Sequence, residues 1–312
     1  MRKDMDQKVV GVSIVLAAAV MWAIEPVVAK LAFQQQSGVL ITSTIRAIGV
    51  SFVALLYVLI RRPPTVKVNR SDFKVLVYIA LIGTVVADGL YLYSLTMIPV
   101  VNAVLLGHMQ PLFVLFFGLI VLTHDRLNKN DYIGIGLLML SAVFVTTQTV
   151  ENALSLHFGT IGDLFVLCAT VAWASTAVAM RKYLTSLHAG IITLYRFGMA
   201  GLVFGVLMLF FADGIFSFYA LLVGIIVGIG TVLYYEGLKR LKAAQVSGLE
   251  LTAPFFAAIL GFIVLGETVT PFQITGMILV LLGVWFISRH EPFKHQKNSV
   301  SKEKFEKKRL RP

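Results

Sequence analysis

Apolar residues in this chain gather into stretches of about 20, separated by short segments that hold the charged and turn-forming residues. Wound as an α-helix, a run of that length matches the hydrocarbon thickness of a bilayer. Ten such runs are readable, near residues 10–33, 39–60, 75–97, 101–123, 131–148, 160–180, 189–211, 216–238, 245–265 and 271–288. Between the third and fourth, only Ile98-Pro99 interrupts the pattern. The first run is too long for the core of a cleavable signal peptide, so it is expected to remain as a span. The pattern therefore predicts an all-α membrane protein of ten transmembrane helices.

Charge orients these spans. Arg2, Lys3 and Lys8 precede the first span, and Arg61, Arg62, Lys67, Arg70 and Lys74 follow the second. Arg126 and Lys129 follow the fourth, Arg181 and Lys182 the sixth, Lys239, Arg240 and Lys242 the eighth. The tail from Arg289 onward is basic, and the five alternate connections carry no Lys or Arg. By the positive-inside rule this alternation places both termini in the cytoplasm. It also checks the span count, because one missed or invented helix would scramble it. The expected organisation is a cytoplasmic segment 1–9, a five-span unit 10–148, an external linker 149–159, a second five-span unit 160–288 and a cytoplasmic tail 289–312.

Composition narrows the function classes. Charged residues make up 14% of 312 positions and hydrophobic residues 58%, against about 25% charged in a soluble domain. Most of the outer surface thus faces the lipid bilayer. The net charge of +11 sits in loops and tail, which reads as topogenic charge rather than a nucleic-acid surface, with an anionic-lipid contact as its functional alternative. The lone Cys168 excludes an internal disulfide and a cysteine metal cage. His108, His124, His157, His188, His290 and His295 are scattered without metal-ligand spacing. No nucleotide-binding loop is present, so neither direct ATP use nor a cofactor is expected.

The chain also repeats itself. Ala-Val-Met-Trp22 followed by Ala-Ile-Glu-Pro recurs as Thr-Val-Ala-Trp173 followed by Ala-Ser-Thr-Ala. Thr-Ile-Arg46 matches Leu-Tyr-Arg196, the stretch from Tyr91 matches that from Tyr234, and Pro111 matches Pro254. Gly134 matches Gly276, and Ser141 matches Gly283. Each half has an odd number of spans, so the two halves must lie in opposite orientation. Inverted repeats are the recurring architecture of alternating-access carriers, with substrate held near the midplane between them.

These motifs, together with Lys30 and the Gly266-Glu267 pair, resemble the paired EamA-type repeats of the drug/metabolite transporter superfamily over roughly residues 10–288. Two positions depart from that pattern: Thr123-His124 stands where Gly-Glu is common, and Trp-Ala-Ile-Glu-Pro where Trp-Gly-Ser-Asn is usual. The resemblance implies an exporter of amino acids or similar metabolites.

Ionisable residues inside a span cost at least about 2.5–3.5 kcal/mol at the helix centre, so each asks for a reason. Glu25 shares a helix face with Trp22 and precedes Pro26, which frees a carbonyl one turn back. An aromatic wall beside a carboxylate suits an amine-bearing or cationic substrate, and such a carboxyl can also exchange protons. The resemblance adds that related small multidrug-resistance carriers use a first-span glutamate this way. An ion pair with Lys30 or Arg46 is the plainer reading. Asp88 falls near the centre of the third span with Tyr91 one turn on, and its neutralising partner is not evident from sequence. His108 and Gln110 precede the Pro111 kink, where a histidine more often joins two helices than binds a ligand. Trp173 and Tyr234 complete the expected substrate- or proton-binding set. Arg46, Arg196, Glu236 and Glu250 form an expected gating or ion-pair set, with Arg196 pairing one of the two glutamates. Lys30 and Asp163 lie near enough to the outer surface to snorkel.

The function expected from these observations is a secondary carrier of small metabolites, acting as a monomer in a bacterial or archaeal plasma membrane and not as an enzyme. A proton-coupled multidrug or organic-cation exporter is the nearer alternative. A membrane-embedded enzyme would need a catalytic cluster at one face, and none stands out.

Overall fold

A computed structural model describes residues 2–63, 67–121, 129–156, 159–184, 187–211, 214–241 and 243–288. His124, Arg126, His157, Lys242 and the basic tail lie outside the described residues. The described elements are helical throughout. Among the described residues nine stretches are long and apolar enough to cross a membrane, and Pro271–Ile287 is a shorter apolar helix.

Helix α1 (Arg2–Gln34) starts eight residues before the expected span, since nothing between Arg2 and Val10 breaks a helix. Helix α2 (Val39–Arg61) follows. The third span begins at α3 (Arg70–Ala80), where the Asn69 side chain caps the helix by accepting from the Asp72 N–H at 2.7 Å. It then passes through a π-helical turn (Leu81–Val86) into α4 (Ala87–Ser94). The fourth span is broken into α5 (Val100–Gly107) and α6 (Gln110–Val121). Helix α7 (Lys129–Thr147) completes the first half, and the short α8 (Val150–Leu154) lies in the linker between the halves.

The second half runs through α9 (Ile161–Tyr183), α10 (Ala189–Phe211) and α11 (Phe218–Leu238). Its ninth span is again broken, into α12 (Ala243–Glu250) and α13 (Ala253–Leu265), before α14 (Pro271–Ser288). Pro111 and Pro254 both sit in the first turn of the second half-helix. A missing N–H costs nothing there, so each proline sets the break at the same place in its repeat.

Packing follows an internal two-fold. Helix α2 packs on α10 and α7 on α14, while α1 packs on α11 and α13 as α9 packs on α4 and α6. The matched small residues make the α7–α14 contact by crossing over. A Cβ on Gly134 would lie 2.7 Å from the Gly283 carbonyl oxygen, and Ser141 Oγ donates to the Gly276 carbonyl at 2.8 Å. The Trp–Tyr motifs cross as well: Trp22 meets Tyr234 with ring centroids 5.1 Å apart, and Trp173 meets Tyr91 at 5.2 Å.

One end of the bundle collects the connections free of Lys and Arg. Ile215 N–H donates to the Gln36 carbonyl at 3.0 Å, and Val100 N–H donates to Glu267 at 2.7 Å. A buried chain from Gln273 through Asn102 to Asp163 ties the fourth, sixth and tenth spans there. The opposite, basic end gathers Tyr57, Arg61, His188, Glu236, Lys239 and Arg240.

Candidate functional site

A largely buried polar cluster lies where the first, second, third, sixth and seventh spans meet. Arg46 on α2 donates from Nε to Glu25 Oε1 at 2.8 Å and from Nη1 to Asp88 Oδ2 at 2.6 Å. The other Asp88 oxygen accepts from Trp173 Nε1 at 2.6 Å and faces Arg196 Nη2 at 3.6 Å. Glu25, Arg46 and Asp88 are all buried. Phe197 lies between the two guanidiniums, its ring centroid 5.7 Å from Arg46 Cζ and 5.0 Å from that of Arg196. Two carboxylates face two guanidiniums, so the quartet is charge-balanced. That balance is what makes four ionisable side chains tolerable away from water.

The π-helical turn explains how Arg196 and Trp173 reach this cluster. A π turn leaves backbone carbonyls without their usual α-helical partner. Gly83 O accepts from Arg196 Nη2 at 2.7 Å and from Trp173 Nε1 at 3.1 Å, and Thr84 Oγ1 accepts from Arg196 Nε at 2.7 Å. Arg196 therefore does not pair with Glu236 or Glu250. Its donors are drawn to the third span by the Gly83 carbonyl, by the Thr84 hydroxyl and by Asp88. Asp88, without an evident partner in the sequence, has three. A π turn has no signal in a plain apolar run, although Gly83-Thr84 is its small, polar centre.

Glu236 instead sits at the basic end, where it accepts from Tyr57 at 2.6 Å and pairs with Arg61 at 2.6 Å, Lys239 at 2.9 Å and Arg240 at 2.8 Å. His188 stacks on Tyr57 with centroids 5.3 Å apart. Burial lowers the pKa of His188, Lys239 and Arg61 lower it further, and Glu236 opposes them. Burial would also lower that of Lys239, but its hydrogen bonds to Tyr57 and Glu236 prevail and raise it. Lys30 pairs with Glu267 at 2.5 Å rather than snorkelling. Asp163 is buried and closes a capping box with Thr160, which also holds it away from the surface.

A second group meets at the two helix breaks. Glu250 ends α12 with its carboxyl beside the Tyr234 hydroxyl, and Tyr234 packs on Trp22. His108 ends α5, hydrogen-bonding the Val104 carbonyl at 2.7 Å and reaching the Glu250 backbone. Gln110 opens α6 beside it, half-buried. The sequence-chosen residues thus divide: Glu25, Asp88, Tyr91, Trp173, Arg46 and Arg196 around the quartet, Trp22, Tyr234, His108, Gln110 and Glu250 around the breaks, and Glu236 apart. Thr84, Phe197 and Tyr57 were not legible as participants, because nothing in sequence sets them apart from packing residues. Among the described residues no group of His, Cys, Asp and Glu is arranged to hold a metal.

A model of the EamA-like transporter family matches residues 9–147 and again 160–289. An uncharacterized transporter of Synechocystis is 28% identical over 236 residues, 70% of this chain and 66% of its own length. One from Methanothermobacter thermautotrophicus is 27% identical over 228 residues, 71% of this chain and 66% of its own. The matched region thus spans just under two thirds of those relatives' length. A third uncharacterized transporter, YyaM of Bacillus subtilis, is 24% identical over 67% of this chain. A solved crystal structure shares the fold with a TM-score of 0.63 at 16% identity, covering 88% of this chain and 95% of its own.

Proposed function

The chain belongs to the EamA-like transporter family, is a multi-pass protein of the plasma membrane, and from that premise we propose that it is a secondary carrier of amino acids or related amines. It works by alternating access, as a monomer, in the direction of export. The observation that carries this reading is the charge-balanced quartet of Glu25, Arg46, Asp88 and Arg196 between the repeats. A zwitterion can exchange partners with such a quartet, its carboxylate taking a guanidinium and its ammonium taking Glu25 or Asp88. Net charge is unchanged by the exchange, so little electrostatic cost attends loading or release. A simple cation would strand a guanidinium and a simple anion a carboxylate.

The test is counterflow in proteoliposomes loaded with an amino-acid mixture, repeated with Glu25→Gln. Saturable exchange that the variant reduces at least tenfold supports the reading. Exchange indifferent to the variant removes Glu25 from the transport cycle, and no exchange with any amino acid rejects the substrate class.

One observation favours a second reading, a proton-coupled exporter of organic cations. The Glu250 carboxyl lies beside Tyr234 and behind it Trp22, and it makes no ion pair with any other described residue. An aromatic-flanked carboxylate without a counter-cation suits a desolvated ammonium. Counterflow of tetraethylammonium abolished by Glu250→Gln, with amino acids not carried, would establish it.

A further inference from the structure

A cavity of about 1250 Å3 opens at the end of the bundle opposite the basic cluster. It descends between the ends of α1, α2, α4 and α10, and its walls are apolar, formed by Phe33, Leu40, Val85, Leu90, Phe204 and Phe211. At the rim Lys30 is engaged by Glu267, so no free positive charge faces the opening from that residue. At the floor is Ser43, which is 2% exposed and whose hydroxyl has no hydrogen-bond partner among the described residues.

Helix α2 shows how unusual that hydroxyl is. Thr44 donates to the Leu40 carbonyl at 2.8 Å and Ser51 to the Ala47 carbonyl at 2.8 Å, the ordinary arrangement for a hydroxyl within a helix. Ser43 is withheld from its own helix and lines the cavity. A buried hydroxyl left unpaired is costly, and such a group is best explained by a partner that comes and goes. Its position fits a transported partner. Ser43 lies one turn from Arg46 on the same face, and Gly89, which also lines the cavity, adjoins Asp88. A Cβ added at Gly89 would meet only the Phe204 ring, at 3.8 Å, so the cavity has room beside the quartet residue that precedes it, Asp88.

We propose that this cavity receives the apolar side chain of a zwitterionic substrate, with Ser43 hydrogen-bonding its charged end as it leaves the quartet, and that it is the route of release on that side. The inference rests on the carrier reading above and deepens it, because the wall chemistry selects amino acids with apolar side chains over charged ones.

The test places a thiol at the floor by Ser43→Cys in a Cys168→Ser background, in right-side-out vesicles treated with a membrane-impermeant thiol reagent. Only a thiol reached by water ionises and reacts at a useful rate. The expected result is modification that leucine or phenylalanine slows several-fold and aspartate or lysine does not. Absence of modification, or modification unaffected by an apolar amino acid that counterflow shows to be carried, overturns the proposal. Narrowing the cavity by Gly89→Leu gives a second reading: counterflow of phenylalanine should fall at least tenfold with alanine much less affected. Equal loss of both in a protein that still elutes as a monodisperse species also overturns it. If the wild type exchanges no amino acid, the carrier reading falls first and this inference with it. If it exchanges them while the introduced thiol goes unprotected, only this inference falls.

Discussion

Asp88 shows what a single residue contributes once its neighbours are in place. One carboxylate receives Arg46, Trp173 and, at longer range, Arg196, so it holds three spans to a fourth. Asp88→Asn keeps the shape but leaves two guanidiniums, buried Arg46 and half-buried Arg196, facing one carboxylate. Breaking a buried pair from one side costs about 3–5 kcal/mol, and an amide that still accepts hydrogen bonds should cost somewhat less. The expected outcome is a melting temperature in detergent lower by several degrees and counterflow reduced at least tenfold. A variant that melts and transports as the wild type would reduce Asp88 to packing. Glu25 and Asp88 are individually legible in the sequence as acids inside apolar runs, because their cost in lipid is intrinsic. Their common partner is legible only by half: Arg46 is one of two cations the sequence offers to Glu25, but nothing in the sequence ties it to Asp88 on a third helix.

At the scale of elements, the π-helical turn is the device that distinguishes the third span from its counterpart, the eighth. Without it Gly83 O would be committed to the helix and unavailable to Trp173 and Arg196. A π turn corresponds to one residue more than the α-helical ladder needs. Deleting Leu81, which is 42% exposed, should restore an ordinary helix while keeping the flanking segments in register. The expected protein is at least as heat-stable as the wild type yet loses counterflow, and Trp173 fluorescence shifts as its N–H loses a partner. Retained transport would show that the turn serves only packing. The paired breaks at His108 and Leu251 are better announced, because Pro111 and Pro254 force them by removing a donor.

At the scale of the whole molecule, a two-fold scaffold carries an asymmetric set of charges. Trp22 and Trp173 are matched, but Glu25 three residues after the first corresponds to Thr176 after the second. The quartet therefore belongs to one side of the two-fold and the Glu250 group to the other. The basic end closes through Tyr57, Glu236, Lys239, Arg61 and Arg240, with His188 stacked on Tyr57. His188 has its pKa lowered by that closure, so the closed end holds fewer protons than an open one near the ordinary value of 6.5. Closure is favoured above that pH and weakens as pH falls. Melting temperature should decline from pH 7.5 to 5.5, and His188→Asn should flatten the decline. Orientation is checked separately: a fluorescent protein that matures only in the cytoplasm should glow when fused after Pro312 and stay dark when inserted at Ser155.

The amino-acid order by itself determined the span count, the alternation of basic connections and the duplication, because hydrophobic length, loop charge and proline position act locally and need no partner. It also singled out the costly residues. Only the tertiary structure decided which of them meet. Arg196 reaches Asp88 rather than Glu236 because a backbone irregularity one helix away offers it better acceptors. Glu236 is claimed by cations that converge from α2 and from the connection after α11. The unpaired Ser43 hydroxyl is visible only against the cavity that it faces. Pairing across a membrane bundle is a property of helix faces brought within a few ångströms, and that information is spread over residues more than a hundred positions apart.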